Sequence, residues 1–144
     1  MADSFDPIQI EFDFGDNVEK STFEQILDMD EEDDRDFSKS IVFGFLEQAE
    51  QTFGKMDSAM KDKDLPELSS LGHFLKGSSA TLGFTKVKDE CEKIQHYGHK
   101  KNETGEVDEP DEDKCLKLIG ESIAEAKRAY EVVNDLMKKF YADP

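Results

Sequence analysis

Apolar residues fall at three- and four-residue steps along most of the chain, and nowhere do they alternate with polar ones as a half-buried strand requires. Phe37, Ile41, Phe45, Ala49, Phe53, Met56 and Met60 form one series, widened by Val42 and Leu46. Leu68, Leu71, Leu75 and Leu82 form a second, and Val87, Cys91, Ile94 and Gly98 a third. Ile119, Ile123, Ala126, Tyr130, Val133, Met137 and Phe140 form the last. Each stripe suffices to bury one face of a helix. A shorter pattern, Phe23, Ile26, Leu27 and Met29, precedes them.

Start and stop signals divide these stripes. Ser21 with Glu24 three residues later has the form of a capping box, and predicts the start of the short helix. Asp64, Pro66 and Glu67 open the helix of the four leucines, with a cap, a first-turn proline and an acid at the positive dipole end. Gly83 marks the turn that ends it, and Thr85 is the predicted cap of the next helix. Residues 99–113 are polar, hold Gly105 and Pro110, and predict a loop; the last helix starts as early as Pro110 and is clear from Cys115. Residues 1–20 are acidic and aromatic without a sustained period, and predict a tail or a loosely docked arm. The expected fold is all-α: one domain over 21–144, an antiparallel four-helix bundle with a short additional N-terminal helix.

Charge then narrows the partners. Thirty-five Asp and Glu against 18 Lys and Arg give a formal net charge of -17 over 144 residues. Such a field opposes nucleic acid and anionic membranes, so neither is an expected partner. No apolar run approaches the length that spans a bilayer. The opening residues, MADSFDPIQIEF, lack the basic segment and apolar core of a signal peptide. Cys91 and Cys115 give no disulfide framework, and with the N-terminus they predict a cytoplasmic or nuclear home. The Asn102-Glu103-Thr104 sequon has no role in that setting. The acidic runs at 28–36 and 108–113 lack the glycine of a calcium loop and read as solvated turns and helix starts.

The segment LGHFLKGSSATLGF, residues 71–84, is unusual for a helix because glycine and serine crowd it. At about 100° per residue, the four leucines cluster on one side and His73 falls almost opposite them. Gly77 lies one turn further along the histidine's face, Ala80 a turn beyond, and Lys76 beside them. An outward imidazole flanked by a bare surface and one positive charge suits an anion that is received and passed on, because neutral imidazole is a nucleophile. If the chain folds back at Gly83, Gln95 stands at nearly the height of His73, in position to hydrogen-bond the ring. The plain alternatives are a surface histidine, glycines that serve close helix packing, and an acidic helical adaptor without phosphoryl chemistry. Glu92, His96 and His99 share a face at metal-ligand spacing, but such sets are common on polar helices, and no metal site is expected. Gly72 and Gly77 have the glycine spacing of a P-loop, yet Ser78 occupies the lysine position and no strand precedes them. Kinase signatures are also missing, so no ATP use is expected.

The HFLKGSSATLGF segment, with CEKIQ at 91–95, closely resembles histidine-containing phosphotransfer (HPt) proteins, specifically the fungal phosphorelay intermediates of the yeast type. The similarity extends over roughly residues 22–98, whereas the last helix shares only the apolar pattern. The resemblance implies a four-helix bundle with a phosphorylatable histidine on its side. His73 matches the acceptor, Lys76 and Gly77 the residues beside it, and Gln95 the glutamine that contacts the ring. It also implies transfer from a receiver-domain aspartate of a hybrid sensor histidine kinase to an aspartate of a downstream response regulator. Docking would involve Ile26, Met29, Phe37, Ile41 and Phe74. The carrier would hold no cofactor of its own, the Mg²⁺ belonging to the partner receiver domain. A monomer acting in stress signalling is the remaining expectation from that likeness.

Overall fold

Every long apolar stripe becomes a helix, and the helices close on one another. The computed structural model describes residues 13–142. A 3-10 turn, Gly15–Asn17, is followed by α1 (Lys20–Leu27), α2 (Asp36–Lys61), α3 (Leu65–Leu82), α4 (Thr85–Gly98) and α5 (Glu112–Phe140). Strands are absent among the described residues, which hold only isolated bridges pairing Glu31 with Asp34 and Lys101 with Asp108. The ring of contacts runs α2 to α3, α3 to α4, α4 to α5 and α5 back to α2. Short reversals at 62–64 and 83–84 make neighbours antiparallel, as a bundle requires. None of the described helices is long and apolar enough to cross a membrane.

The core is built from the predicted stripes. Leu68, Leu75, Ile94, Ile119, Val133 and Met137 are fully buried, as are Phe23 and Phe84. Removing such side chains from water contributes about 1.5–3 kcal/mol each. In α2 the buried face is rotated from the expected one. Val42, Phe45, Leu46, Ala49, Phe53, Met56 and Ala59 point inward, while Ile41 and Met60 are half-buried and Phe37 stays 45% exposed. Ser38 takes the inner place beside Phe37 because its polar groups are satisfied there. Its N–H and hydroxyl donate to the Asp30 carboxylate at 2.7 and 2.6 Å, and it accepts from the Tyr141 hydroxyl at 2.7 Å. This chain of bonds ties the turn before α2 to the end of α5. A buried serine of this kind is invisible to a hydrophobic pattern.

Helix ends depart from expectation in two places. The first helix starts at Lys20 behind Glu19, not at Ser21; Thr22 donates its hydroxyl to the Glu19 carboxylate, reversing the expected capping box. Thr85 is the first residue of α4 rather than its cap, and its hydroxyl donates to the Asp16 carbonyl at 3.3 Å. The last helix begins at Glu112, between Pro110 and Cys115 as expected, capped by Asp111, whose side chain accepts from Lys114 N–H at 3.2 Å. Asp64 likewise caps α3 as its sequence predicts, accepting from Glu67 N–H at 3.1 Å.

Part of the expected tail belongs to the bundle. Residues 1–12 lie outside the described chain, but Phe14 and Val18 are buried. The Phe14 ring meets Phe23 at 5.4 Å and Phe140 at 5.5 Å. Glu19 N–H donates to the Gly83 carbonyl at 2.6 Å. Gly83 has φ +80°, and a β-carbon there would stand 2.8 Å from the Glu19 carbonyl oxygen. The turn between α3 and α4 therefore needs glycine both for its conformation and to admit this strap.

The crowded glycines of α3 and α4 divide into two kinds. At Gly72 a β-carbon would lie 2.8 Å from the Cys91 carbonyl oxygen and 2.9 Å from Gln95 N. At Gly98 it would lie 2.7 Å from Ser69 N and 2.8 Å from the Leu65 carbonyl oxygen. These two positions let α3 and α4 meet backbone to backbone. A β-carbon at Gly77 would meet nothing within 4 Å. Gly72→Ala is therefore expected to cost about 1–3 kcal/mol through overpacking. Gly77→Ala is expected to add up to about 1 kcal/mol of stability through helix propensity. Urea unfolding of both variants against the parent chain checks the opposite signs.

A second prediction concerns alkaline pH. Burial, with a smaller contribution from Glu90, pushes the Cys91 thiol from 9.0 up to about 12. Burial likewise pushes the Tyr141 phenol from 10.0 up to about 12. The fold favours both neutral forms, so this stability is complete below the ordinary values and is lost as pH rises through the folded ones. Urea midpoints are expected to fall between pH 9.0 and about 12, with a shallower fall in Tyr141→Phe.

Candidate functional site

Outside the leucine face, α3 presents its histidine to solvent. His73 and Gly77 are exposed, with Leu71, Gly72 and Leu75 buried around them, as the helical wheel predicts. Among the described residues neither ring nitrogen of His73 has a hydrogen-bond partner, so both remain available. Gly77 leaves open space one turn away, where an incoming surface can approach the ring.

Lys76 is held beside the histidine by the neighbouring helix. Its ammonium donates to Gln95 Oε1 at 3.2 Å and stands 3.9 Å from Glu92 Oε2. The lysine is 30% exposed and the glutamate 42%, so their ion pair contributes at most about 1 kcal/mol. Gln95 thus contacts the lysine rather than the imidazole; the expected bond from Gln95 to the ring is not formed. A lysine fixed in this way is a positive charge with restricted motion near a nucleophile, within a strongly acidic molecule.

The α3–α4 apposition sets these positions. Ser69 Oγ donates to the Gln95 carbonyl at 2.9 Å, in the same region where Gly98 packs on Ser69. One turn after Ser69 comes His73, and one turn after Gln95 comes His99. An open cleft of about 460 Å³ follows, lined by Pro66, Ser69, Ser70, His73, Gln95, Gly98 and His99. Sequence reasoning expected His73, Lys76, Gly77 and Gln95 to lie near one another, as they do, but did not foresee Ser69 or the place of His99 in the cleft. The facing small residues Ser69 and Gly98 are the signal that was open to use.

The remaining candidates separate clearly. Glu92, His96 and His99 do not gather as ligands, and no cluster of three or more metal-binding side chains occurs among the described residues. Glu92 turns toward Lys76, and His96 Nδ1 lies 2.7 Å from the Glu103 carbonyl. Of the apolar residues considered for docking, Met29 is 63% exposed, Phe74 46% and Phe37 45%. Ile41 is half-buried, lining an α2–α3 groove of about 390 Å³ with Gly44, Gln48, Ser78 and Thr81. Ile26 is buried in the core, so it supports the surface from beneath.

The Hpt domain model matches residues 41–129. The chain is 47% identical to multistep phosphorelay regulator 1 of Schizosaccharomyces pombe over 84% of its own length and 39% of the relative's. It is 53% identical to the phosphorelay intermediate protein YPD1 of Candida albicans over 59% of its length and 46% of that protein's. It therefore spans less than half the length of these curated relatives. Its structure is similar to that of the Saccharomyces cerevisiae histidine phosphotransfer signaling protein Ypd1 co-crystallised with the receiver domain of its downstream response regulator Ssk1. The TM-score is 0.75 at 30% identity, covering 87% of this chain and 94% of the other. With the family model covering more than half of its residues, this chain belongs to the Hpt domain family.

Proposed function

We propose that the chain is a phosphocarrier of a multistep phosphorelay, accepting a phosphoryl group on His73 from a receiver-domain aspartate and passing it to another. The observation that supports this most is the pairing of an exposed, unpartnered imidazole with a lysine pinned one turn away by Gln95. The crystallised pairing of yeast Ypd1 with a receiver domain supports the same class of partner. Hpt phosphotransfer intermediates are carriers rather than kinases.

In the proposed step, the Nε2 lone pair of a neutral His73, with its proton on Nδ1, attacks the phosphorus of the partner's phospho-aspartate. The N–P bond forms as the P–O bond to the aspartyl oxygen breaks, and the carboxylate leaves with the bonding electrons. No proton has to move, and the reverse of the same step delivers the phosphoryl group to the next aspartate. Lys76 screens charge on the phosphoryl oxygens as they approach. Mg²⁺ held by the receiver supplies the remaining charge neutralisation. The bundle's own contribution is presentation: a rigid helix, a low surface at Gly77 and one oriented cation.

Docking is proposed on the face that carries Met29, Phe37, Ile41 and Phe74, next to the α2–α3 groove. Exposed apolar side chains of this size are the usual anchors of a protein interface. The net charge of -17 argues against nucleic acid as a partner. A monomer working in the cytoplasm and nucleus, within a stress-responsive relay, is the setting we propose.

Three expected outcomes test these roles. Incubated with a phosphorylated receiver domain, the chain should gain acid-labile, alkali-stable label. His73→Gln should abolish it with an unchanged circular dichroism spectrum, whereas label persisting in that variant overturns the assignment. Lys76→Ala should slow transfer by about tenfold or more, equivalent to about 1.4 kcal/mol of barrier. Met29→Asp and Phe74→Asp should each weaken receiver binding by about tenfold in calorimetry, with unfolding midpoints unchanged.

A further inference from the structure

Two of the exposed apolar side chains proposed for docking flank the turn between α1 and α2. Met29 stands at its start, and Phe37 is the second residue of α2. Between and beside them, residues 28–36 set carboxylates at 28, 30–34 and 36 against Arg35 alone. Charges of one sign crowded in this way push a turn open. Local bonds shape its bends, Asp30 N–H donating to the Leu27 carbonyl at 3.0 Å and Asp34 N–H to the Glu31 carbonyl at 3.1 Å. They do not fix its place on the bundle.

That place is set from the far end of the chain. Asp30, next to Met29, accepts from the N–H and hydroxyl of Ser38, which is next to Phe37, at 2.7 and 2.6 Å. The hydroxyl of Tyr141, the residue that closes α5, donates to Ser38 Oγ at 2.7 Å. Ser38 and Tyr141 are buried. The Tyr141 ring is held edge-on by Phe140 at 4.8 Å and Phe43 at 5.9 Å. A second grip comes from Arg35, whose guanidinium lies 4.6 Å from the centroid of the Phe140 ring.

We propose that Tyr141 is a positioning residue for receiver binding: through Ser38 and Asp30 it fixes Met29 and Phe37 in the arrangement that a receiver domain meets. The inference rests on the phosphocarrier reading given above. Anchors already in their bound positions lose less freedom on association, so the effect falls on affinity and not on the transfer step. The reacting imidazole is on α3, and no bond of this chain reaches it. Tyr130 supplies the control. It too is a buried phenol of α5, donating to the Leu46 carbonyl at 3.0 Å and to the Glu50 carboxylate at 2.7 Å. Those bonds tie α5 to the middle of α2 and leave the turn untouched.

The test measures single-turnover transfer to the parent chain, Tyr141→Phe and Tyr130→Phe over a range of phosphorylated receiver concentrations. Circular dichroism checks that each is folded. Tyr141→Phe should raise the half-saturating concentration by about three- to tenfold and leave the saturated rate unchanged. Tyr130→Phe should leave both unchanged, although both variants lower the urea midpoint. In a chain that already carries Met29→Ala and Phe37→Ala, the effect of Tyr141→Phe should shrink below about twofold, because the anchors it positions are gone. An unchanged half-saturating concentration in Tyr141→Phe, or a fall in its saturated rate instead, overturns the inference. So does an equal rise in Tyr130→Phe, or a penalty that persists in full without the anchors. Each of those results leaves the phosphocarrier reading standing, whereas failure of the parent chain to take label at all overturns both.

Discussion

The backbone contact between α3 and α4 is the constraint from which the site follows. Gly72 lies against the backbone of Cys91 and Gln95, and Gly98 against that of Ser69 and Leu65, at distances no β-carbon would permit. That approach puts Gln95 within reach of Lys76, and turns Lys76 from a flexible surface cation into an oriented one. The same seam places the end of α4 beside His73. Elsewhere the bundle rests on ordinary burial of leucine, isoleucine and phenylalanine, which supplies stability without specifying any position to this accuracy.

A carrier of the kind proposed asks little chemistry of its own fold. The nucleophile has to be exposed, the adjacent surface low, and the local charge opposite to that of the molecule. α3 meets these needs by segregation. Its leucines enter the core, Gly72 and Ser69 face α4, and His73, Phe74 and Gly77 face outward. The helix tolerates poor helix formers because tertiary packing outweighs propensity.

Much of this was legible in the sequence, for reasons that differ by feature. Helix identity and the outward direction of His73 follow from period alone, and α5 keeps every residue of its predicted stripe buried. The start of α1 was misplaced because Ser21 and Glu24 have the form of a cap while Glu19 and Thr22 make the actual bond. Phe14 and Val18 escaped notice because isolated apolar residues before a helix have no period to betray docking. In α2 the buried Ser38 displaced Phe37 outward, which hydrophobicity cannot foresee. Gln95 was placed at the right height, but its choice of Lys76 over the imidazole depends on side-chain reach. Gly72 and Gly77 look alike in the sequence, and only the neighbouring helix distinguishes a packing glycine from a surface one.

The account's central claim is that one imidazole of three, the one turned outward on α3, receives the phosphoryl group. Its most direct test is mass-spectrometric mapping of the phosphorylated chain, prepared with a phosphorylated receiver domain and kept alkaline throughout. The account predicts one phosphate, on the peptide that contains His73, with His96 and His99 unmodified. Phosphate found on either of those residues, or on an aspartate or serine instead of His73, would contradict it.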